Sequence, residues 1–153
     1  MSDLRDLYQE IIIDHGRHPR NFGILPEANL HKEGFNPLCG DKVIIHVQEK
    51  NGVVEKIMFE GTGCAISIAS TSLMSEALKG KTKQEIESIF SDFHELVTHT
   101  QANEKVKERL GKLAVMSGVA EFPVRVKCAT LGWHTLKAAL LRDAELVTTE
   151  DNL

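Results

Sequence analysis

The sequence predicts an α+β fold, a small antiparallel sheet packed against the helices that fill most of the remaining chain. Two observations carry this. Residues 42–60 alternate apolar and polar side chains and are interrupted by Asn51-Gly52, the dipeptide of a two-residue hairpin turn. After Cys64 the apolar residues recur at helical spacing between recognisable caps. A hairpin followed by a run of helices is the pattern of an α+β domain. The chain has 153 residues, 42% of them hydrophobic and only 5% aromatic, so one domain spanning residues 1–153 is expected, with a core of mainly aliphatic packing.

Taken in order, Leu4, Leu7, Tyr8, Ile11 and Ile12 share one face of a predicted helix over residues 3–14. Residues 15–23 contain Gly16, Pro19, Asn21 and Gly23 and read as a turn-rich passage. Residues 28–35 can supply a short strand. Val43, Ile45 and Val47 alternate with Ile44, His46 and Gln48, and the return strand follows Asn51-Gly52. Residues 65–78 form the next helix, with Ile68, Ala69, Ser72, Leu73 and Leu78 on its apolar side and Gly80 as a candidate C-cap glycine. Thr82 and Glu85 make a capping box ahead of Ile86, Ile89 and Phe90. Residues 79–112 mix seven Lys/Arg with six Asp/Glu and read as a solvated face. Pro123 starts the last helix, whose stripe is Val126, Ala129, Thr130, Trp133, Leu136, Lys137 and Leu140.

Composition excludes several functions. With 18 basic and 22 acidic residues the net charge is -4, which makes no electrostatic footprint for nucleic acid or an anionic membrane. No apolar run reaches a membrane span, and the amino-terminal segment is polar and periodic, unlike a signal peptide. A soluble cytoplasmic protein is the expectation. Three cysteines, an odd number without a C-x-x-C pair, argue against a disulfide framework, a zinc finger or a thioredoxin-like motif and fit a reducing compartment.

Those cysteines are the candidate chemistry. Cys39 lies in Asn36-Pro37-Leu38-Cys39-Gly40-Asp41, a turn before the first strand of the hairpin; Cys64 ends Gly61-Thr62-Gly63-Cys64 at a helix start; Cys128 sits in the first turns of the last helix. A helix N-terminus favours a thiolate, and element boundaries gather ligands. A free cysteine is more commonly a small buried hydrophobe, but the flanking Pro and Gly residues do not resemble a packed core. Asp41 is either a turn residue or, beside three thiolates, the fourth ligand of a tetrahedral zinc site. Such a site carries four negative charges against two positive ones and should attract a cation. Arg125 and Lys127 flank Cys128, although both also suit a solvated surface. His15 and His18 lie too near a turn to assign, His134 lies off the Cys128 face, and His31, His46, His94 and His99 have no motif around them and read as surface or structural residues.

Asp14-His15, Pro19-Arg20-Asn21, the N-P-x-C-G-D and G-x-G-C passages and Cys128, in that order, resemble the SufU/IscU/NifU-amino-terminal family of iron–sulfur cluster assembly proteins, over about residues 4–141. The resemblance implies a three-stranded antiparallel sheet with about five to six helices. Three departures from IscU are similar to the SufU branch. Lys127 stands where IscU has a histidine. Phe122-Pro123-Val124-Arg125-Val126 departs from the L-P-P-V-K segment gripped by an Hsp70-type chaperone, so no such chaperone is expected. The interval from Cys64 to Cys128, including residues 79–112, is also longer.

By that resemblance, zinc is held by Cys39, Asp41, Cys64 and Cys128. Sulfur arrives as a persulfide from a PLP-dependent cysteine desulfurase of SufS type and passes to downstream SUF assembly machinery. Cys39, in a loop and not at a helix start, is the expected sulfur acceptor. The alternative implied by the family is a scaffold that assembles a transient [2Fe-2S] cluster on Cys39, Cys64 and Cys128. A purely structural zinc domain ranks last, because structural sites close with Cys and His ligands. The expected activity is that of a zinc-dependent sulfur carrier, not of a free-standing small-molecule enzyme.

Overall fold

A computed structural model describes residues 2–101, 103–141 and 147–148, with the backbone alone for 2–5, 147 and 148. Leu4, at the head of the first predicted stripe, falls in that backbone-only part. Helix α1 (Ser2–Arg17) leads into strands β1 (Leu30–Asn36), β2 (Asp41–Lys50) and β3 (Val53–Thr62). Helix α2 (Ala65–Ala77), the two-residue β4 (Lys81–Thr82), α3 (Lys83–Thr98) and α4 (Glu104–Leu110) follow. A run of 3₁₀ turns (Gly111–Glu121), α5 (Pro123–Leu140) and β5 (Val147–Thr148) complete the order.

The sheet order is β4-β3-β2-β1-β5. Its three long strands are antiparallel, as expected, with Asn36 paired to Asp41 at one end of β1–β2 and Lys50 to Val53 beside the hairpin turn. Asn51 and Gly52 both have positive φ (55° and 79°), the left-handed pair that a tight hairpin needs. The expectation of three strands needs correcting. β4 adds an antiparallel edge on Val53 and Val54, and β5 adds a parallel edge on Gly34 and Phe35. Two residues are too few to leave an alternating pattern, so neither edge is visible in the sequence.

β1 alternates inward Leu30, Lys32, Gly34 and Asn36 with outward His31, Glu33 and Phe35. The inner face of the sheet carries Val43, Ile45, Val47, Ile57 and Phe59 and meets α5 and α2. α5 is buried on more than its predicted stripe. Leu131, Thr135 and Ala139 are buried as well, while Lys137 is exposed over the Phe90 ring. Trp133 is the centre of this layer, stacked on Phe93 at 4.2 Å and donating its indole N–H to Ser70 Oγ at 3.1 Å. The Thr82–Glu85 capping box forms as expected.

Other expectations are corrected. α1 continues through His15 and Gly16 to Arg17, three residues beyond the predicted end. Leu78, not Gly80, caps α2, and Gly80 (φ 81°) turns the chain so that its N–H reaches Val54 O at 2.6 Å. Residues 79–112 are not one solvated face, since Ile86, Phe93, Leu96, Val97, Val106 and Leu110 enter the core. Among the described residues no helix is long and apolar enough to cross a membrane.

Candidate metal centre

Three chain segments meet at the end of the sheet opposite the hairpin turn. The β1–β2 turn brings Cys39, β2 begins with Asp41, and the exit of β3 brings Cys64 as N-cap of α2. From the other side, α5 contributes Cys128 in its second turn. The sulfurs of Cys39 and Cys128 and a carboxylate oxygen of Asp41 lie within 4.8 Å of one another. Cys128 Sγ is 3.3 Å from Cys39 Sγ, and Cys64 Sγ approaches Asp41 Oδ2 at 3.9 Å.

Local structure explains why the groups converge. The backbone N–H of Cys64 donates to Asp41 Oδ1 at 2.8 Å, tying the start of α2 to the start of β2. Gly63, at φ +143°, makes this approach possible, because a Cβ there would overlap the Asp41 carboxylate. The turn carrying Cys39 is closed by Gly40 N–H donating to Asn36 O at 2.8 Å. The side chain of Cys128 leans back toward the start of its helix, as helical side chains do, placing Sγ 3.9 Å from Val124 O.

Exposure grades the ligands. Asp41 and Cys128 are fully buried, whereas Cys39 and Cys64 are half-buried and Gly40 is exposed. Leu38, Phe122 and Val124 stand exposed on the segments that carry Cys39 and Cys128. Burial pushes the Cys128 thiol well above the ordinary thiol range, and its neighbours Cys39, Asp41 and Cys64 push it further. Acidic groups packed this closely cannot all ionise on their own. Arg125 answers part of that charge. A hydrogen bond to Cys128 and the charges of Cys64, Cys128 and Cys39 hold its guanidinium firmly protonated. Lys127 is half-buried on the same helix.

The donor set suits a divalent cation with a taste for sulfur. Three thiolates and one carboxylate match the ligand types and number of a tetrahedral zinc site, and the cation would offset the burial and the acidic neighbours that keep Cys128 protonated.

Asn36 was not singled out by sequence reasoning, yet it is buried at the base of the cluster. Its Nδ2 donates to Asp41 Oδ2 at 3.0 Å and to Cys128 Sγ at 3.5 Å. An asparagine before proline reads as a turn residue, and only the strand register that sets it opposite Asp41 exposes its other use.

The histidines lie elsewhere among the described residues. His15, left unassigned above, is buried and bonds through Nδ1 to Ser72 Oγ at 2.8 Å. His46, read as surface or structural, is structural: it is buried between His31 at 2.7 Å and Glu60 at 2.9 Å. His134 sits edge-on to Phe90, and burial, aided by His94 and Lys137, holds its pKa down to about 4.

A sheet-and-helix domain with three cysteines and an aspartate gathered at one end of its sheet is the architecture of a metal- or cluster-handling protein. The chain belongs to the NifU-like N-terminal domain family, whose model matches residues 7–142. It is 40% identical over 144 residues to the iron–sulfur cluster assembly scaffold protein IscU of Streptococcus pyogenes, covering 94% of this chain and 89% of that one. It is 34% identical over 142 residues to the zinc-dependent sulfurtransferase SufU of Bacillus subtilis, covering 93% and 95%. Among solved structures it is similar to one described as an iron–sulfur cluster assembly scaffold for the SUF system of Fervidobacterium islandicum. That similarity has a TM-score of 0.79 at 35% identity, over 89% of this chain and 98% of that one.

Proposed function

We propose that this chain is an iron–sulfur cluster assembly protein of SufU type, a zinc-dependent carrier that takes sulfur from a PLP-dependent cysteine desulfurase. The observation that supports it best is the cluster of Cys39, Asp41 and Cys128 beside Arg125, with Cys64 Sγ 3.9 Å from Asp41 Oδ2 and Cys39 on a turn whose Gly40 is exposed. Cys39, Asp41, Cys64 and Cys128 would hold the ion. Bound zinc would keep the three sulfurs deprotonated and sheltered from oxidation.

Cys39 is the acceptor in this reading. Its thiolate attacks the outer sulfur of the donor persulfide. The donor's S–S bond breaks, a new S–S bond forms at Cys39 Sγ, and the donor cysteine leaves as thiolate. The transferred sulfur keeps its proton and its oxidation state. Asp41 stays in place through the Cys64 N–H, and Arg125 offsets the remaining negative charge. Leu38, Phe122 and Val124 offer an apolar rim for a protein donor.

A second reading, a scaffold for a transient [2Fe-2S] cluster on Cys39, Cys64 and Cys128, is favoured by the resemblance to the S. pyogenes protein. One experiment separates the two. Protein purified without oxygen is analysed for metal and then incubated with a SufS-type desulfurase and cysteine. Persulfides are trapped by alkylation and mapped by peptide mass spectrometry. Stoichiometric zinc with the label on Cys39, absent in Cys39→Ser, is expected. Iron with acid-labile sulfide, or a label mainly on Cys64 or Cys128, overturns the carrier reading.

A further inference from the structure

The four donors of the centre are not held alike. Asp41 has both oxygens engaged by N–H donors, Oδ1 by Cys64 N and Oδ2 by Asn36 Nδ2. Cys128 sits in helical backbone and receives the second Asn36 N–H at 3.5 Å. Cys64 is fixed as a helix N-cap. Cys39 Sγ, among the described residues, has Cys128 Sγ as its hydrogen-bond partner and no amide donor. Asn36 touches this turn differently. Its backbone carbonyl accepts Gly40 N–H, and its Oδ1 accepts Leu38 N–H at 3.3 Å, so it grips the loop by its backbone.

We propose that Asn36 is a positioning residue that selects Cys39 as the ligand that leaves, by holding Asp41 and Cys128 while fixing only the backbone of the Cys39 turn. The inference rests on the metal-centre reading above. Its physical basis is the effect of an outer hydrogen bond on a ligand. An N–H pointed at a thiolate draws charge from the sulfur, making it a poorer nucleophile, and fixes its direction. An N–H pointed at a carboxylate does the same for the oxygen and costs little, because the amide is already buried with its acceptor. Of the two sulfurs 3.3 Å apart, Cys128 receives the Asn36 N–H beside its hydrogen bond to Arg125, and Cys39 receives no amide N–H among the described residues. The Cys39 thiolate therefore loses less charge to outer amide donors than Cys128 does and sits on the turn with the exposed Gly40.

The test measures reactivity cysteine by cysteine and needs no desulfurase. Zinc-loaded protein is treated with limiting iodoacetamide, and the rate at each cysteine is read by peptide mass spectrometry. In the unaltered chain Cys39 is expected to react at least about tenfold faster than Cys128. Asn36→Leu keeps the shape but has neither donor nor acceptor; Asn36→Ala loses the shape as well. In each the ratio is expected to fall to about threefold or less because Cys128 speeds up. Asn36→Gln, whose amide can still donate two N–H groups, restores the order in zinc-loaded protein. With cobalt(II) in place of zinc, the sulfur-to-metal absorption should shift to lower energy in the Leu and Ala variants and not in Gln.

Four results overturn the proposal: an unchanged ratio in both donor-less variants, a change confined to Asn36→Ala, no recovery of the order in zinc-loaded Asn36→Gln, or first labelling on Cys64 or Cys128 in the unaltered chain. A chain that labels as stated yet accepts no sulfur from the desulfurase sinks the carrier reading and leaves the role of Asn36 standing.

Discussion

Two buried polar clusters lie on either side of α2, and they behave in opposite ways. At the side of the helix, His15, Arg20 and Asn21 meet Ser72 and Ser75. Ser72 Oγ accepts the Arg20 N–H at 2.8 Å and bonds His15 Nδ1, while Asn21 Nδ2 donates to Ser75 Oγ at 2.9 Å. Donors there face acceptors except at His15 Nε2, which lies 3.8 Å from Glu76, and the cluster ties the segment after α1 to α2. At the start of the helix, Cys39, Asp41, Cys64 and Cys128 are acids facing acids. Burial of complementary groups makes structure; burial of like groups makes a place for a cation. Both clusters come from sequence passages that carry the family resemblance, so resemblance alone does not tell them apart.

The largest expected effect follows from that contrast. Stripping the metal should destabilise the cysteine end and leave the serine end intact. With free zinc a thousandfold above its Kd, the bound ion contributes about 4 kcal/mol, or roughly 10 °C of Tm in a chain of this size. Differential scanning calorimetry with and without a strong chelator checks this. An unchanged Tm would erase the distinction between the clusters.

A pair of substitutions then sharpens it. Gly63→Ala puts a Cβ into the Asp41 carboxylate at a positive φ and should cost about 3 kcal/mol together with the bound metal. Ser72→Ala strands the buried His15 Nδ1 and the part-buried Arg20 N–H and should cost about 2 kcal/mol, yet keep one metal per chain. Denaturant melts with metal analysis distinguish the two. Metal loss in Ser72→Ala would show the clusters to be one network.

Much of this architecture is legible in the residues. Asn51-Gly52 and the Thr82–Glu85 box each have a local cause, and each forms. What fails locally is settled by tertiary contact. Gly16 looks like a helix breaker, but α1 passes through it where a close neighbour, Ala65 of α2, occupies the space a side chain would need. β4 and β5 are fragments that pair only because longer strands present an edge. Asn36 reads as a turn, and His46 as a residue without a motif, until the register places Asp41 and His31 opposite them.

Acid separates the histidines from the cysteine centre. Burial lowers the pKa of both His15 and His134, with Arg20 and Lys112 adding to the shift at His15 and the His134 value near 4. The unfolded chain therefore binds more protons than the folded one below the ordinary histidine value of about 6.5. Stability is complete above that value and falls as pH drops toward 4. In metal-free protein, where ligand protonation plays no part through the ion, His134→Leu should remove about 2–3 kcal/mol of the loss between pH 7 and 4.5. Urea melts across that range measure it, and an unaltered slope would place the acid sensitivity elsewhere.

The smallest effect on the fold is expected at the residue proposed to carry the sulfur. Cys39 is half-buried in a turn whose closure depends on the backbone of Asn36 and Gly40, not on the cysteine side chain. Its one hydrogen-bond partner among the described residues is another thiol, Cys128, and it packs into no part of the hydrophobic core. Serine in its place keeps the turn geometry and a polar tip that water can reach through the exposed Gly40 side. In metal-free protein Cys39→Ser should therefore change unfolding free energy by no more than about 0.5 kcal/mol. Cys128→Ser is the matched control. The hydroxyl there would be buried where the thiol is now fully enclosed, and a loss of about 1–2 kcal/mol is expected. Paired urea melts in the presence of chelator and reductant give the two numbers. Equal losses would mean that the Cys39 turn is as rigidly packed as the α5 helix, and a thiol so held could not swing out to meet a donor.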